Sequence, residues 1–277
     1  MVSLSYNKKE AKIMNITHDM HLHTGLSLCA SPDTRFEDFI EPALEMGLEK
    51  IGISNHFWDE NVAPFSDDGY FTIQNFKYLE READAIRKEK RIKVSFGCEA
   101  EYDYKCGDVA MTEETAEKFD HILVSHSHTH LIMPSELKDD IYRHMEFMMK
   151  AYSDIIKGRI SKYITAVAHP FDAICTSQEK IWAMYRTAKD SDLGKLFDEA
   201  AKRGIAYELN VGGYCAMVQS DFECSPNLYV ARLAKRSGCK FTFGSDAHSA
   251  KAFPHYKNNA LLLADILELT DDDIAAV

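Results

Sequence analysis

The chain has 277 residues, 45% of them hydrophobic, which is enough to bury a sizeable core in one barrel-sized unit. Its formal charge of −12 excludes a basic stripe able to neutralise a run of phosphates, and so argues against extended nucleic-acid binding. No apolar run approaches a membrane span, the opening MVSLSYNKKEAK has no signal-peptide core, and seven scattered cysteines (Cys29, Cys98, Cys106, Cys175, Cys215, Cys224, Cys239) suit reduced thiols, so a cytoplasmic location is expected.

Residues 1–15 read as a short extension, and the first strand is expected at about 17–23, in the stretch THDMHLH. In a strand, residues i and i+2 share a face, so His21 and His23 converge on one point. With 12 histidines in the chain a chance His-x-His is not rare, and the pair alone decides nothing. Thr34-Arg35-Phe36-Glu37 has the capping-box pattern and opens a helix with Phe36, Phe39, Ile40, Ala43 and Leu44 at helical spacing, stopped by Gly47. Lys50 to His56 reads as a buried strand, and a helix at about 73–90 leads into a strand from Ile92 to Glu99. The basic run Arg87-Lys88-Glu89-Lys90-Arg91-Ile92-Lys93 is read as the solvated C-terminus of that helix, complementing its dipole.

The alternation continues with a short helix at 113–119 and a strand from His121 to His126. A long helix at 135–157 follows, then a strand from Ile164 to His169 ended by Pro170. Helices at 193–203 and 227–237 precede strands from Ile205 to Asn210 and from Lys240 to Asp246. Seven strands, each followed by a helix or room for one, imply parallel pairing with crossovers. They close most naturally as a single barrel of class α/β spanning the whole chain. In such barrels active sites gather at the C-terminal strand ends. His21, His23, His56, Glu99, the run His126, His128 and His130, His169, Glu208, Asn210, Asp246 and His248 all fall there. Histidines buried for packing need not cluster at one end; metal ligands must.

These residues resemble the PHP (polymerase and histidinol phosphatase) domains of metal-dependent phosphoesterases. The resemblance runs from about Asp19 to His248 and rests on six motifs in order: HLH at 21–23, SNH ending at His56, GCE ending at Glu99, SHSHTH at 125–130, AHP at 168–170 and GSDAH at 244–248. It implies a distorted (β/α)7 TIM-like barrel with two or three divalent metals; zinc, manganese and iron all suit imidazole and carboxylate ligands. His21, His23, Glu99 and Asp246 would hold the first metal. Glu99 would also reach a second, held with His128 and His169, and His56 with His248 would serve a third. Glu99, Asp246 and His248 would then be the catalytic groups.

Alternatives stand beside several assignments. Glu99 has a surface-loop reading, and His128 is chosen over His126 and His130 by its distance from the preceding strand. Glu208 and Asn210 read as substrate contacts or as supports of the ligands. Many family members place an Asp or His a few residues after the first pair. Here the stretch is Leu26-Ser27-Leu28-Cys29-Ala30-Ser31, so Cys29 or Asp33 would complete the third site if it exists, and Asn55 stands where an Asp is usual.

The reaction implied is hydrolysis of a small phosphomonoester by a hydroxide bridging the metals. Histidinol phosphate is named first as substrate, with a place in histidine biosynthesis. No G-x-S-x-G elbow or nucleotide-cradling Gly-rich loop competes. A metal-dependent amidohydrolase, a phosphodiesterase or nuclease, and a non-catalytic regulatory barrel are the other readings. Substrate contacts are expected from the loops at 57–70 and 213–225.

Overall fold

The computed structural model describes residues 14–174, 176–212 and 225–277. Seven parallel strands form one continuous path: β1 (His18–Leu22), β2 (Lys50–Ile53), β3 (Lys93–Asp103), β4 (His121–Ser125), β5 (Ala166–Ala168), β6 (Ala206–Asn210) and β7 (Phe241–Gly244). Neighbours in this order pair in parallel throughout. The path nearly closes on itself. Asp246 N–H donates to the His21 carbonyl at 2.8 Å, His23 N–H donates to the Ala247 carbonyl at 3.0 Å, and Leu22 bridges Ala247. Asp19 adds a side-chain clasp at this seam, its carboxylate accepting from the Ser245 N–H at 3.0 Å. This is the TIM-like barrel that the strand-helix alternation predicts.

Strand alternation separates two environments. Ile122 and Val124 of β4, Val167 of β5, Tyr207 and Leu209 of β6, and Phe241 and Phe243 of β7 join the large apolar core beneath the outer helices. Leu123, Ala166, Ala168 and Ala206, on the opposite face, form a separate small cluster. The same inward rows continue into polar groups, Ser125 after Leu123 and then Glu208 and Asn210 after Ala206. His121 sits low on this face with both ring nitrogens satisfied, by Ser54 Oγ at 2.8 Å and Ser95 Oγ at 2.9 Å. A Cβ on Gly97 would come within 2.1 Å of its ring, so glycine there makes room for a structural histidine.

Several boundaries differ from expectation for local reasons. The first capping contact forms one residue late: the Asp38 carboxylate accepts from the Arg35 N–H at 2.8 Å, and a 3-10 turn precedes the helix Ile40–Glu45. Gly47, at φ +69°, stops that helix as expected. The basic run lies where anticipated, with Arg87 and Lys88 closing the helix Phe76–Lys88 and Arg91 pairing with Glu89 and Glu41. β3 does not end at Glu99; it continues to Asp103 and turns back through an antiparallel pair at Asp108–Val109. The helices Gln178–Tyr185 and Tyr256–Ile266 were not expected. Among the described residues no helix is long and apolar enough to cross a membrane. Cys175, Cys215, Cys224 and most of the expected contact loop at 213–225 lie outside the described residues.

Candidate metal centre

All eight expected ligands meet at the C-terminal mouth of the barrel, with Glu99 at the centre. Its Oε1 lies 2.8 Å from His169 Nε2 and 3.5 Å from His128 Nε2. Its Oε2 lies 3.0 Å from His56 Nδ1, 3.3 Å from His21 Nε2 and 3.7 Å from His23 Nε2. Asp246 Oδ1 faces the same two imidazoles, 3.0 Å from His23 Nε2 and 3.6 Å from His21 Nε2. His248 stacks on His23 with ring centroids 4.3 Å apart. The surface-loop reading of Glu99 is therefore excluded, since the residue is fully buried on an inner strand.

The histidines are held in defined tautomers by what touches their other nitrogen. His21 Nδ1 donates to the Glu208 carboxylate at 2.6 Å. His23 Nδ1 donates to Ser27 Oγ at 2.9 Å, because that hydroxyl gives its own hydrogen to Asn55 Oδ1. His128 Nδ1 donates to the Glu101 carboxylate at 2.8 Å. His169 Nδ1 donates to Ser127 Oγ at 2.6 Å, and that hydroxyl in turn donates to the His169 carbonyl. His248 Nδ1 donates to the Asp246 carbonyl at 2.8 Å. A neutral imidazole with Nδ1–H carries its lone pair on Nε2. In four of these five rings, those of His21, His23, His128 and His169, that lone pair points at carboxylate oxygens.

Such an arrangement is repulsive unless a cation stands between the groups. His21 Nε2, His23 Nε2, His56 Nδ1, Glu99 Oε2 and Glu101 Oε2 are all buried without a hydrogen-bond partner. Among the described residues no lysine or arginine pairs with Glu99, Glu101 or Asp246; their ion-pair partners are histidines alone. Burial drives Glu99 and Asp246 toward the neutral form, but His128, His21 and His56 around Glu99, and His21 and His23 around Asp246, hold both well below the usual carboxylate range. Ionised carboxylates, aimed lone pairs and no basic side chain together fit divalent metals. Five triads bring their ligand atoms within 4.8 Å of one another: His21, His23 and Glu99; His21, His169 and Asp246; Glu99, His128 and His169; His56, Glu101 and His128; His23, His56 and His248.

The structure separates the three clustered histidines. β4 stops at Ser125 and a short helix starts after His128, so period-2 alternation does not carry on. His126 turns into the core between Tyr152 and Phe171, where its Nε2 accepts from the Phe171 N–H. His130 is exposed, and only His128 reaches the centre. Asp33 is exposed and joins none of the triads, whereas Cys29 Sγ lies 3.1 Å from His248 Nε2. Asn55 does not face the cluster; it ties the loop after β1 through Thr24 and Ser27.

The substrate-contact reading of Glu208 is corrected. Both of its oxygens are engaged, one with His21 and the other with the His169 N–H at 2.8 Å, and the residue is fully buried. Its action is to orient His21. Asn210 Nδ2 likewise donates to Asp246 Oδ2 at 2.9 Å. Glu101 was missed as a member of the centre. It follows Glu99 by two residues on the same face of β3, binds His128, and accepts from the Tyr70 hydroxyl at 2.7 Å. Extending the third strand by one alternation would have found it.

Backbone geometry marks the same place. His169 has φ +29° and Asp246 has φ +54°, a region non-glycine residues seldom adopt. Gly244 supplies a different allowance: a Cβ there would lie 2.2 Å from Glu208 Oε1 and 2.5 Å from His21 Cβ. Gly244→Ala should therefore destabilise the fold by about 1–3 kcal/mol, typical of overpacking, and should also weaken metal retention because it displaces the Glu208–His21 pair. Denaturant unfolding and metal analysis check this; an alanine variant matching the parent in both would show that the contact relaxes freely.

Comparison with known proteins agrees with this geometry. The PHP domain family matches the chain over residues 19–211. A crystal structure of histidinol phosphate phosphatase from Lactococcus lactis subsp. lactis, complexed with zinc, L-histidinol and phosphate, superposes with a TM-score of 0.66 at 17% sequence identity, covering 94% of this chain and 99% of the other. No curated protein matches the sequence.

Proposed function

The chain belongs to the PHP domain family, and from that premise we propose that it is a metal-dependent hydrolase of a small phosphomonoester. The observation that carries this reading is the set of imidazole nitrogens fixed in their tautomers and aimed, without hydrogen bonds, at Glu99 and Asp246. His21, His23, Glu99 and Asp246 would hold one ion. Glu99, His128 and His169 would hold a second, and His56 with His248 a third. Bound there, divalent zinc, manganese or iron acidifies a water at neutral pH and offsets the charge that builds on phosphoryl oxygens as the leaving group departs.

The chain's own residues supply orientation. Glu208 and Glu101 fix the rings of His21 and His128, and Asn210 holds Asp246. Tyr70 stands beside His56 with its hydroxyl on Glu101, which brings the loop expected to touch substrate to the rim of the centre. Among the described residues no lysine or arginine pairs with the central carboxylates, so the phosphoryl charge falls to the metals to neutralise. A compact monoester suits that arrangement better than a polyanionic strand. Histidinol phosphate is the first substrate to try, supported by the family and by the phosphatase that shares the fold.

Purified protein should contain divalent metal and release phosphate from a panel of phosphomonoesters. Chelation should abolish that release, and added zinc, manganese or iron should restore it. Full turnover after exhaustive metal removal overturns the proposal. Release of ammonia or amine without phosphate would move the chain to amidohydrolysis, and preference for bis-p-nitrophenyl phosphate would move it to diester cleavage.

A further inference from the structure

Cys29 is exposed, but the loop that carries it is fastened on both sides. Leu28 N–H donates to Gln74 Oε1 at 2.8 Å, and Ser31 N–H donates to the His248 carbonyl at 3.1 Å. These ties place Sγ 3.1 Å from His248 Nε2, whose ring is already fixed through Nδ1. His23, His56 and His248 bring ligand atoms within 4.8 Å of one another beside it. His23 Nε2 and His56 Nδ1 are both buried and without a hydrogen-bond partner, so two unsatisfied imidazoles of this triad lie beside the thiol. Two donors on one tetrahedral zinc, at about 2.3 Å for sulfur and about 2.0–2.1 Å for nitrogen, stand roughly 3.5 Å apart, close to the observed spacing.

Resting on the metal-centre reading above, we propose that Cys29 is a metal ligand whose thiolate joins His23, His56 and His248 in an N3S site at the barrel mouth. A thiolate is a soft donor, so this position favours zinc, or iron(II), over manganese, while the carboxylate-rich positions around Glu99 remain tolerant of harder ions. The site thereby differs from its neighbours in the ion it selects, and it places one thiolate-held ion at the solvent edge.

Cobalt(II) reports on this directly. Metal-free protein reloaded with cobalt should show visible d–d bands from the whole centre and a near-ultraviolet band from sulfur-to-cobalt charge transfer. Cys29→Ser should lose the charge-transfer band and about one equivalent of metal, with the d–d bands of the remaining ions and the circular dichroism kept. Cys106→Ser, which removes another exposed thiol, should keep the band. Zinc-loaded parent should show sulfur scattering at about 2.3 Å that is absent from Cys29→Ser. A charge-transfer band that survives Cys29→Ser, or d–d bands without any charge transfer in the parent, overturns Cys29 as a ligand and leaves the metal centre standing. Failure of the parent to take up cobalt at all overturns the centre itself, and the thiolate site with it.

Discussion

Glu99→Gln should lose both metal and turnover, by at least about 100-fold. The lower bound follows from residues one step removed from a metal, whose loss typically costs 10–100-fold in affinity or activity. Glu99 stands closer than that. Its two oxygens lie within 3.7 Å of nitrogens from five histidines on different segments of the barrel. The amide keeps the shape and size of the side chain but removes the charge, and its NH2 group would donate toward lone pairs that need a cation. His169 Nε2, at 2.8 Å, is an acceptor for that donor, so the metal-free variant should fold as the parent does by circular dichroism. Metal stoichiometry and phosphate release measured on the same preparations decide the matter. Retention of all ions with turnover within tenfold of the parent would remove Glu99 from the centre of the mechanism.

The strands were legible because buried parallel strands read as short apolar runs, and the clustering of polar residues at their ends was legible for the same reason. The finer choices depended on where each strand stops. Glu101 escaped notice because the third strand was ended at Glu99; two more residues of the same strand put its carboxylate on His128. The three histidines at 126, 128 and 130 shared one face only if the fourth strand ran on. A helical turn from Thr129 sends one into the core and one to solvent, a change of period that local sequence does not announce. Glu208 looked like a free acid at a strand tip, yet Gly244 opposite it leaves room for the carboxylate to lie against His21, a pairing between strands distant in sequence. What was illegible was geometry set by contacts across the barrel.

Asp246 and His248 belong to one motif, and the structure predicts that they fail differently. Asp246 has φ +54°, a conformation that Asn adopts more readily than most residues, so Asp246→Asn preserves the backbone and changes little but charge. Its Oδ1 lies 3.0 Å from His23 Nε2 and 3.6 Å from His21 Nε2, and its Oδ2 accepts from Asn210. An amide at this position offers a neutral oxygen or a donor where two lone pairs converge. Activity should fall at least about 100-fold by the reasoning applied to Glu99, and the ion shared by His21 and His23 should be lost. His248 is different. Its side chain is 36% exposed, it stacks on His23, and its Nε2 faces Cys29 away from Glu99. His248→Ala should remove one metal equivalent, leave the Glu99-linked pair in place, and reduce turnover less than Asp246→Asn does. Titration of metal into each metal-free variant separates the two: a missing class of site for His248→Ala, a disrupted pair for Asp246→Asn. If both variants bind every ion that the parent binds, the assignment of the GSDAH segment to two separate ions is wrong.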